Sequence, residues 1–272
     1  MRGEQDKASV FFIGNATTLI KCNGFTILTD PNFLHRGQRA YLGYGLSAKR
    51  RTDPALTVDQ LPPLDAVVLS HMHGDHWDRV ARDGLDKATP IVTTPQAAGK
   101  LRRQGYTDVA ALHTWHSNEL TNEYGSLRVT ALPARHGPGA ADFLMPQTMG
   151  SLLEFSDPGG HVLMRMLISG DTLMAGELAE IPRRFPDIDV GIVHLGGTKL
   201  LGMLMVTMDG RQGAQWVDLI RPRVVVPVHY DDYTVFSSPL SDFREKVEQA
   251  GHGARVTYLD RGQSCELQLI RR

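Results

Sequence analysis

The stretch Ser70-His71-Met72-His73-Gly74-Asp75-His76-Trp77-Asp78 limits what this chain can become more than any other part of it. Four side chains able to bind a metal, His71, His73, Asp75 and His76, fall within six residues. They follow directly on an apolar run, residues 64–69, of the length of a buried strand. Imidazole and carboxylate suit divalent transition metals of borderline softness. His71 and His73 are two apart and project from one face of an extended segment. Asp75 and His76 follow across Gly74, which can take a tight turn. One short loop cannot easily give all four groups to one ion. It can give His71 and His73 to one metal and Asp75 and His76 to a second beside it, and each then lacks ligands.

Three later positions can supply them. His136, Asp171 and His229 each follow an apolar run and are flanked by Gly, Pro or small residues, so each is expected at a strand end. A carboxylate such as Asp171 has two oxygens and can bridge two cations. A lone His after a strand is usually structural or exposed. Beside a half-built two-metal loop, three loose ligands at strand ends acquire a joint meaning.

The rest of the chain reads as scaffold. Strands are expected at residues 9–13, 17–22, 25–29, 64–69, 91–94, 110–115, 126–132, 148–155, 162–168, 190–195, 224–228, 255–259 and 265–270. Asn23-Gly24 between the second and third is a strong hairpin signal. Helices are expected at 78–85, 95–104, from 172 to about 184, at 210–220 and at 239–250, the last with Ser238 as its N-cap. Asp30-Pro31 ends the third strand and puts Asp30 at a strand tip, a place for a functional carboxylate and equally for a turn-forming one. Residues 34–63 read as one long irregular loop. Arg50 and Arg51 within it could meet an anionic substrate, but solvation is the plainer reading. The chain is expected to form one domain over 1–272, two face-to-face sheets with helices outside.

Composition removes several classes. The 272 residues are 42% hydrophobic and 22% charged, ordinary for a globular protein. A formal net charge of −1 offers no basic field for nucleic acid. The polar start at residues 1–7 lacks the apolar core of a signal peptide, and no run approaches the roughly 18 apolar residues of a membrane span. Two cysteines, Cys22 and Cys265, make no disulfide framework. A cytoplasmic protein with a small-molecule substrate is the expectation, and homo-oligomerisation stays open through the apolar, Met-rich residues 200–208, which read as core, pocket lining or interface.

His71-x-His73-x-Asp75-His76, followed in order by His136, Asp171 and His229, resembles the metallo-β-lactamase superfamily over nearly the whole chain. The resemblance implies an α+β fold, an αββα sandwich of two mixed sheets with the metal site at one edge. It implies two divalent ions, Zn2+ first with Mn2+ or Fe as alternatives. His71, His73 and His136 would hold one, Asp75, His76 and His229 the other, and Asp171 would bridge them. Asp30 matches the superfamily's early strand-end Asp, which orients a ligand His. Within the superfamily, Thr29-Asp30-Pro31, residues 61–65, Ser169-Gly170-Asp171-Thr172 and Pro227-Val228-His229-Tyr230 resemble the branch of L-ascorbate-6-phosphate lactonase and N-acyl-phosphatidylethanolamine phospholipase D. The expected activity is hydrolysis of a small ester, lactone or phosphodiester by a metal-bridging hydroxide that Asp75 orients. His194, Tyr230, His113 and His116 are candidates by type for protonating the leaving group, with a structural role the plainer reading for His113 and His116. The alternatives are an iron-dependent oxidoreductase of the persulfide dioxygenase type on the same fold and a metal-binding protein without catalysis. His at position 73, where flavodiiron oxygen reductases carry Glu, separates the chain from those enzymes.

Overall fold

The computed structural model describes residues 7–200 and 203–272. Residues 1–6 and the Leu201-Gly202 part of the Met-rich segment lie outside the described residues. In chain order the elements are β1 (Lys7–Gly14), β2 (Thr17–Cys22), β3 (Phe25–Thr29), β4 (Arg39–Gly43), β5 (Leu46–Lys49), β6 (Ala66–Leu69), α1 (Arg79–Gly84), β7 (Ile91–Thr93), α2 (Pro95–Arg103), β8 (Val109–Ala111), β9 (Ser117–Asn122), β10 (Gly125–Leu132), β11 (Gly150–Ser156), β12 (Val162–Ile168), α3 (Glu180–Arg184), β13 (Val190–His194), β14 (Lys199–Leu200), β15 (Leu204–Met205), α4 (Gly210–Ile220), β16 (Val224–Val228), α5 (Leu240–Gln249) and β17 (Ser264–Gln268).

Two mixed sheets form among the described residues. One runs β17-β1-β2-β3-β6-β7-β8, the other β16-β13-β12-β11-β10-β9. Alternation along the strands builds the layer between them: Ala8, Val10 and Phe12 of β1 meet Leu127, Val129 and Ala131 of β10 and Met164, Met166 and Ile168 of β12. The opposite residues of the same sheets take helices. Leu28, Val67 and Leu69 pack under Ala97, Ala98 and Leu101 of α2. Leu152, Leu167 and Val193 pack under Trp216, Val217 and Ile220 of α4 and Phe243 of α5. The order of layers is therefore helix, sheet, sheet, helix, the expected sandwich. Both cysteines are buried and free. Among the described residues no helix is long and apolar enough to cross a membrane.

Parallel pairing sets where functional side chains emerge. β6 runs parallel to β3 and β7, and β12, β13 and β16 run parallel to one another. β10 and β12 share a direction because both are antiparallel to β11. The C-terminal ends of β3 and β6, and those of β10, β12, β13 and β16, thus gather at one end of their respective sheets.

Several expectations are corrected. Residues 34–63 hold the hairpin β4–β5, with its own small core of Leu34, Ala40, Leu42, Ala48 and Tyr233. Arg50 is not solvated. It is fully buried, its Nη1 donating to Asn32 O and Oδ1 at 2.9 and 2.5 Å and its Nη2 lying 3.5 Å from Asp232 Oδ1. The segment after Thr172 is extended, then a short 3-10 turn, and only then α3. Residues 255–259 touch the sheet by one bridge, Val225 to Val256, rather than as a strand. Pro239, not Ser238, is the N-cap of α5; Ser238 Oγ instead accepts from Gly210 N at the start of α4. β9, Ser-Asn-Glu-Leu-Thr-Asn, is a polar edge strand without an apolar signal.

Candidate metal centre

Ser70 to Asp78 leaves the end of β6 and turns sharply, with the amides of His76 and Trp77 both donating to His73 O at 3.0 and 2.8 Å. Gly74 makes the turn possible: its amide donates to Tyr41 O at 2.8 Å, and a Cβ there would lie 2.8 Å from Tyr41 N and O. Asp78 pins the far end. Its Oδ1 accepts from Ala81 N to cap α1, and its Oδ2 accepts from the amides of Phe33 and Leu34. Asn15 Nδ2 donates to Asp75 O at 2.7 Å and Asn32 Nδ2 to Gly74 O at 3.1 Å, so two asparagines clamp the backbone that carries Asp75.

Seven buried side chains converge here: His71, His73, Asp75, His76, His136, Asp171 and His229. They make three groups with ligand atoms mutually within 4.8 Å: His71, His73 and His136; His71, His76 and Asp171; Asp75, His76 and His229. His73 Nδ1 is 3.0 Å from His71 Nε2 and 3.1 Å from His136 Nε2. Nitrogens sharing one tetrahedral ion at its usual bond length are roughly 3.3 Å apart. Asp171 Oδ2 lies between two groups, 3.2 Å from His76 Nε2 and 4.0 Å from His71 Nε2. Asp75 Oδ2 is 3.4 Å from His229 Nε2 and 4.0 Å from His76 Nε2. His76 Nε2, Asp75 Oδ1 and Asp171 Oδ1 are buried with no hydrogen-bond partner. Orphaned acceptors of this kind are costly unless a cation satisfies them, so the donor set fits divalent metal.

The outer ring nitrogens are held. His76 Nδ1 donates to Asp30 Oδ2 at 3.0 Å, His136 Nδ1 to Val206 O at 2.9 Å and His229 Nδ1 to Leu195 O at 3.2 Å, while Ser70 Oγ lies 3.0 Å from His71 Nδ1. Each contact fixes a tautomer and aims the other nitrogen inward. Asn15, Asp30 and His229 all have positive φ, 54°, 36° and 63°, a conformation costing about 1–3 kcal/mol for such residues and concentrated at functional sites.

Electrostatics divide the centre. Burial holds His71 well below its ordinary range, pushes His73 down to about 3 and lowers His136. That side presents neutral imidazole lone pairs. Across from it, burial alone would lower His76, but the carboxylates of Asp171, Asp75 and Asp30 outweigh it and hold the ring well above its ordinary value. His229 is raised too, Asp171 outweighing burial. Burial would raise both acids, yet His76 and His229 bring Asp75 to about 2 and keep Asp171 well below its usual range. The carboxylate side demands positive charge.

His194 is fully buried behind the ligands, its ring edge-on to His76 and His229, its Nε2 3.8 Å from Asp30 Oδ2, and neither nitrogen hydrogen-bonded. Burial pushes it down to about 4. Tyr230 packs on Phe12, 6.4 Å between ring centroids, and lines a cleft with Leu240 and Arg261 rather than joining the converging set. The clamps Asn15 and Asn32 are absent from the sequence reading, as are the helix-capping role of Asp78 and the burial of Arg50. Gly14-Asn15 and Pro31-Asn32 are turn signals that could have flagged the first two.

Comparison with known proteins agrees with this geometry. Residues 26–230 match the family model described as Beta-lactamase superfamily domain. A UPF0173 metal-dependent hydrolase of Deinococcus radiodurans is 30% identical over 205 residues, covering 74% of this chain and 80% of that protein. Among solved structures, an isothiocyanate hydrolase from Delia radicum gut bacteria superposes with a TM-score of 0.80 at 19% identity, covering 96% of this chain and 99% of that one. A possible metal-dependent hydrolase from Veillonella parvula gives a TM-score of 0.80 at 22% identity, covering 94% and 98%. With well over half of its length matched by the family model and the strand-end cluster in place, the chain belongs to the beta-lactamase superfamily.

Proposed function

We propose that the protein is a dinuclear metal-dependent hydrolase acting on a small ester, lactone or phosphodiester. The observation that carries this reading is the buried convergence of seven ligand-type side chains, three of whose inward atoms, His76 Nε2, Asp75 Oδ1 and Asp171 Oδ1, have no hydrogen-bond partner among the described residues. The names of the relatives reported above, a metal-dependent hydrolase and an isothiocyanate hydrolase among them, support the reaction type. The resemblance to the lactonase and phospholipase D branch supports the substrate range. In this reading His71, His73 and His136 would hold one ion and Asp75, His76 and His229 the other, with the Asp171 carboxylate available to both.

Two such ions, zinc in the first place, supply a water whose pKa falls from about 15.7 towards 7 and a positive field for the substrate oxygen. The chain's own residues do the remainder. Asp75 Oδ1, buried and unpaired, orients the attacking water and accepts its proton. Asp30 keeps His76 in the tautomer that points Nε2 inward. The proton taken by Asp75 serves the leaving group, and His194 buttresses Asp30 from behind. The test is elemental analysis of purified protein coupled to a screen of lactones, phosphodiesters and thioesters. Asp75→Asn and His73→Ala are expected to abolish turnover with the fold retained. Stoichiometric iron with oxygen-dependent turnover would overturn the hydrolase reading in favour of an oxidoreductase.

A further inference from the structure

Among the described residues four of the six large exposed apolar side chains share one region, Tyr41 lies on one of the same hairpins, and Ile270 stands apart. Tyr44, Phe143, Leu144 and Met203 are 71, 79, 53 and 85% exposed, and they belong to three loop tips. Each tip is anchored beside the same pair of imidazoles. The β4–β5 hairpin passes over His73, where a Cβ on Gly43 would be 4.0 Å from His73 Nε2. The turn carrying Phe143 and Leu144 folds back on His136, because the amides of His136 and Gly137 donate to Asp142 Oδ1 at 2.8 and 3.0 Å. The β14–β15 hairpin carrying Met203 runs into Val206, whose carbonyl accepts from His136 Nδ1. Tyr44 Oη donates to Leu144 O and joins the first tip to the second.

These tips lie on the His73 and His136 side of the centre. His73 is 8% exposed, more than any other of the seven residues. Asp142, the acid among the tips, already spends one oxygen on two amides. The exposed side chains nearest His73 at the tips are apolar, with Asp142 turned onto two amides and Lys199 at the base of the β14–β15 hairpin, and Met at a tip adapts to irregular shapes. Four side chains fall far short of the roughly 20–30 residues per side in a stable protein interface.

We propose that the β4–β5 tip, the 139–144 turn and Met203 form a rim that binds an uncharged aliphatic or aromatic group attached to the hydrolysed bond, making this a hydrolase of hydrophobic substrates. The inference rests on the metal-hydrolase reading, and its test keeps the two apart. Zinc-loaded protein, with zinc content verified, is titrated calorimetrically with acetohydroxamate and octanohydroxamate, which share a metal-binding head and differ by six methylenes. A fully buried methylene is worth about fourfold in affinity and a half-buried one about twofold. The longer compound is expected to bind roughly 50-fold tighter. In Phe143→Ser/Met203→Ser, and separately in Tyr44→Ser, each checked for fold by circular dichroism, the ratio of the two affinities is expected to fall severalfold. Equal affinity in the unaltered protein, or an undiminished ratio in both variants, overturns the rim while leaving the hydrolase reading standing. Failure of both compounds to bind overturns both readings. Cosedimentation with phosphatidylcholine vesicles that the double variant loses would reassign the tips to a lipid surface and overturn the substrate proposal.

Discussion

Asp30 donates no ligand in the proposed centre, yet three donors end on its carboxylate: Ser70 N on Oδ1 at 2.7 Å, and Ser70 Oγ and His76 Nδ1 on Oδ2 at 2.9 and 3.0 Å. It holds both the start of the ligand loop and the orientation of one ligand ring. Asp30→Asn replaces one of these acceptors with an NH2 group, which cannot accept from His76 or Ser70. Such outer contacts typically contribute 10–100-fold in metal affinity. The variant is expected to bind zinc about 10–100-fold more weakly, measured by competition with a chromophoric chelator; unchanged affinity would show that Asp30 does not position His76. The proposed ligands were legible in the sequence because they cluster just after an apolar run or stand at the ends of later ones. Asp30 was half legible, since a strand-tip Asp reads alike whether it shapes a turn or orients a histidine.

The β4–β5 hairpin and the ligand loop behave as one assembly. Gly74 meets Tyr41 backbone to backbone, and Arg50, just past β5, reaches Asn32, which in turn donates to Gly74 O. Asp232 closes the circuit: its Oδ2 accepts from Asn15 N at 2.7 Å, its Oδ1 is bonded by Thr52 Oγ1, and Arg261 Nε and Nη2 reach it at 3.1 and 3.0 Å. Gly74→Ala puts a methyl into the Tyr41 backbone and is expected to cost both stability and bound zinc, read by thermal melts and elemental analysis. Arg50→Met removes one partner of a buried pair and is expected to cost about 3 kcal/mol in urea unfolding; a loss under about 1 kcal/mol would show the pair to be a bystander. Burial alone would raise the Asp232 carboxyl, but hydrogen bonds and charge from Arg261, then Arg50, lower it below its ordinary value. A carboxyl lower in the folded than the unfolded chain adds stability above the unfolded value of about 3.9 and loses it as pH falls through the folded one. The stability gap between the parent protein and Asp232→Asn should hold steady from pH 7 to 5 and shrink below about pH 4. None of this was legible in residues 34–63. An Arg is read as solvated by default, and what buries Arg50 is a carboxylate 182 positions later, together with Tyr233. The helix expected from 172 failed for a related reason: Asp171 and Thr172 serve the centre and the β10 end, Thr172 Oγ1 accepting from Arg135 N, so the chain stays extended until residue 176.

At the scale of the molecule, the centre is where the two sheets are tied together. His71, His73, Asp75 and His76 come from the end of β6 in one sheet, and His136, Asp171 and His229 from the ends of β10, β12 and β16 in the other. Each of the three ligand groups takes members from both. Away from that edge the sheets are joined by the packed layer built around Val10, Phe12, Val129 and Met166, and by hydrogen bonds such as those from Asn23 Nδ2 to Tyr124 O and Ser156 O. That layer is extensive enough to hold the fold without metal, so chelation should loosen the sandwich rather than unfold it. A ligand that binds only the folded state adds RT ln(1 + [L]/Kd), about 4 kcal/mol at a thousand times Kd. For a chain of this size each kcal/mol moves the melting temperature by about 2–4 °C. Zinc-loaded protein is therefore expected to melt roughly 8–16 °C above chelator-treated protein, with restoration on adding zinc back. The increment should be largely lost in His136→Ala and His73→Ala, which remove ligands from opposite sheets. A chelator-insensitive melting temperature would show that no metal bridges the sheets.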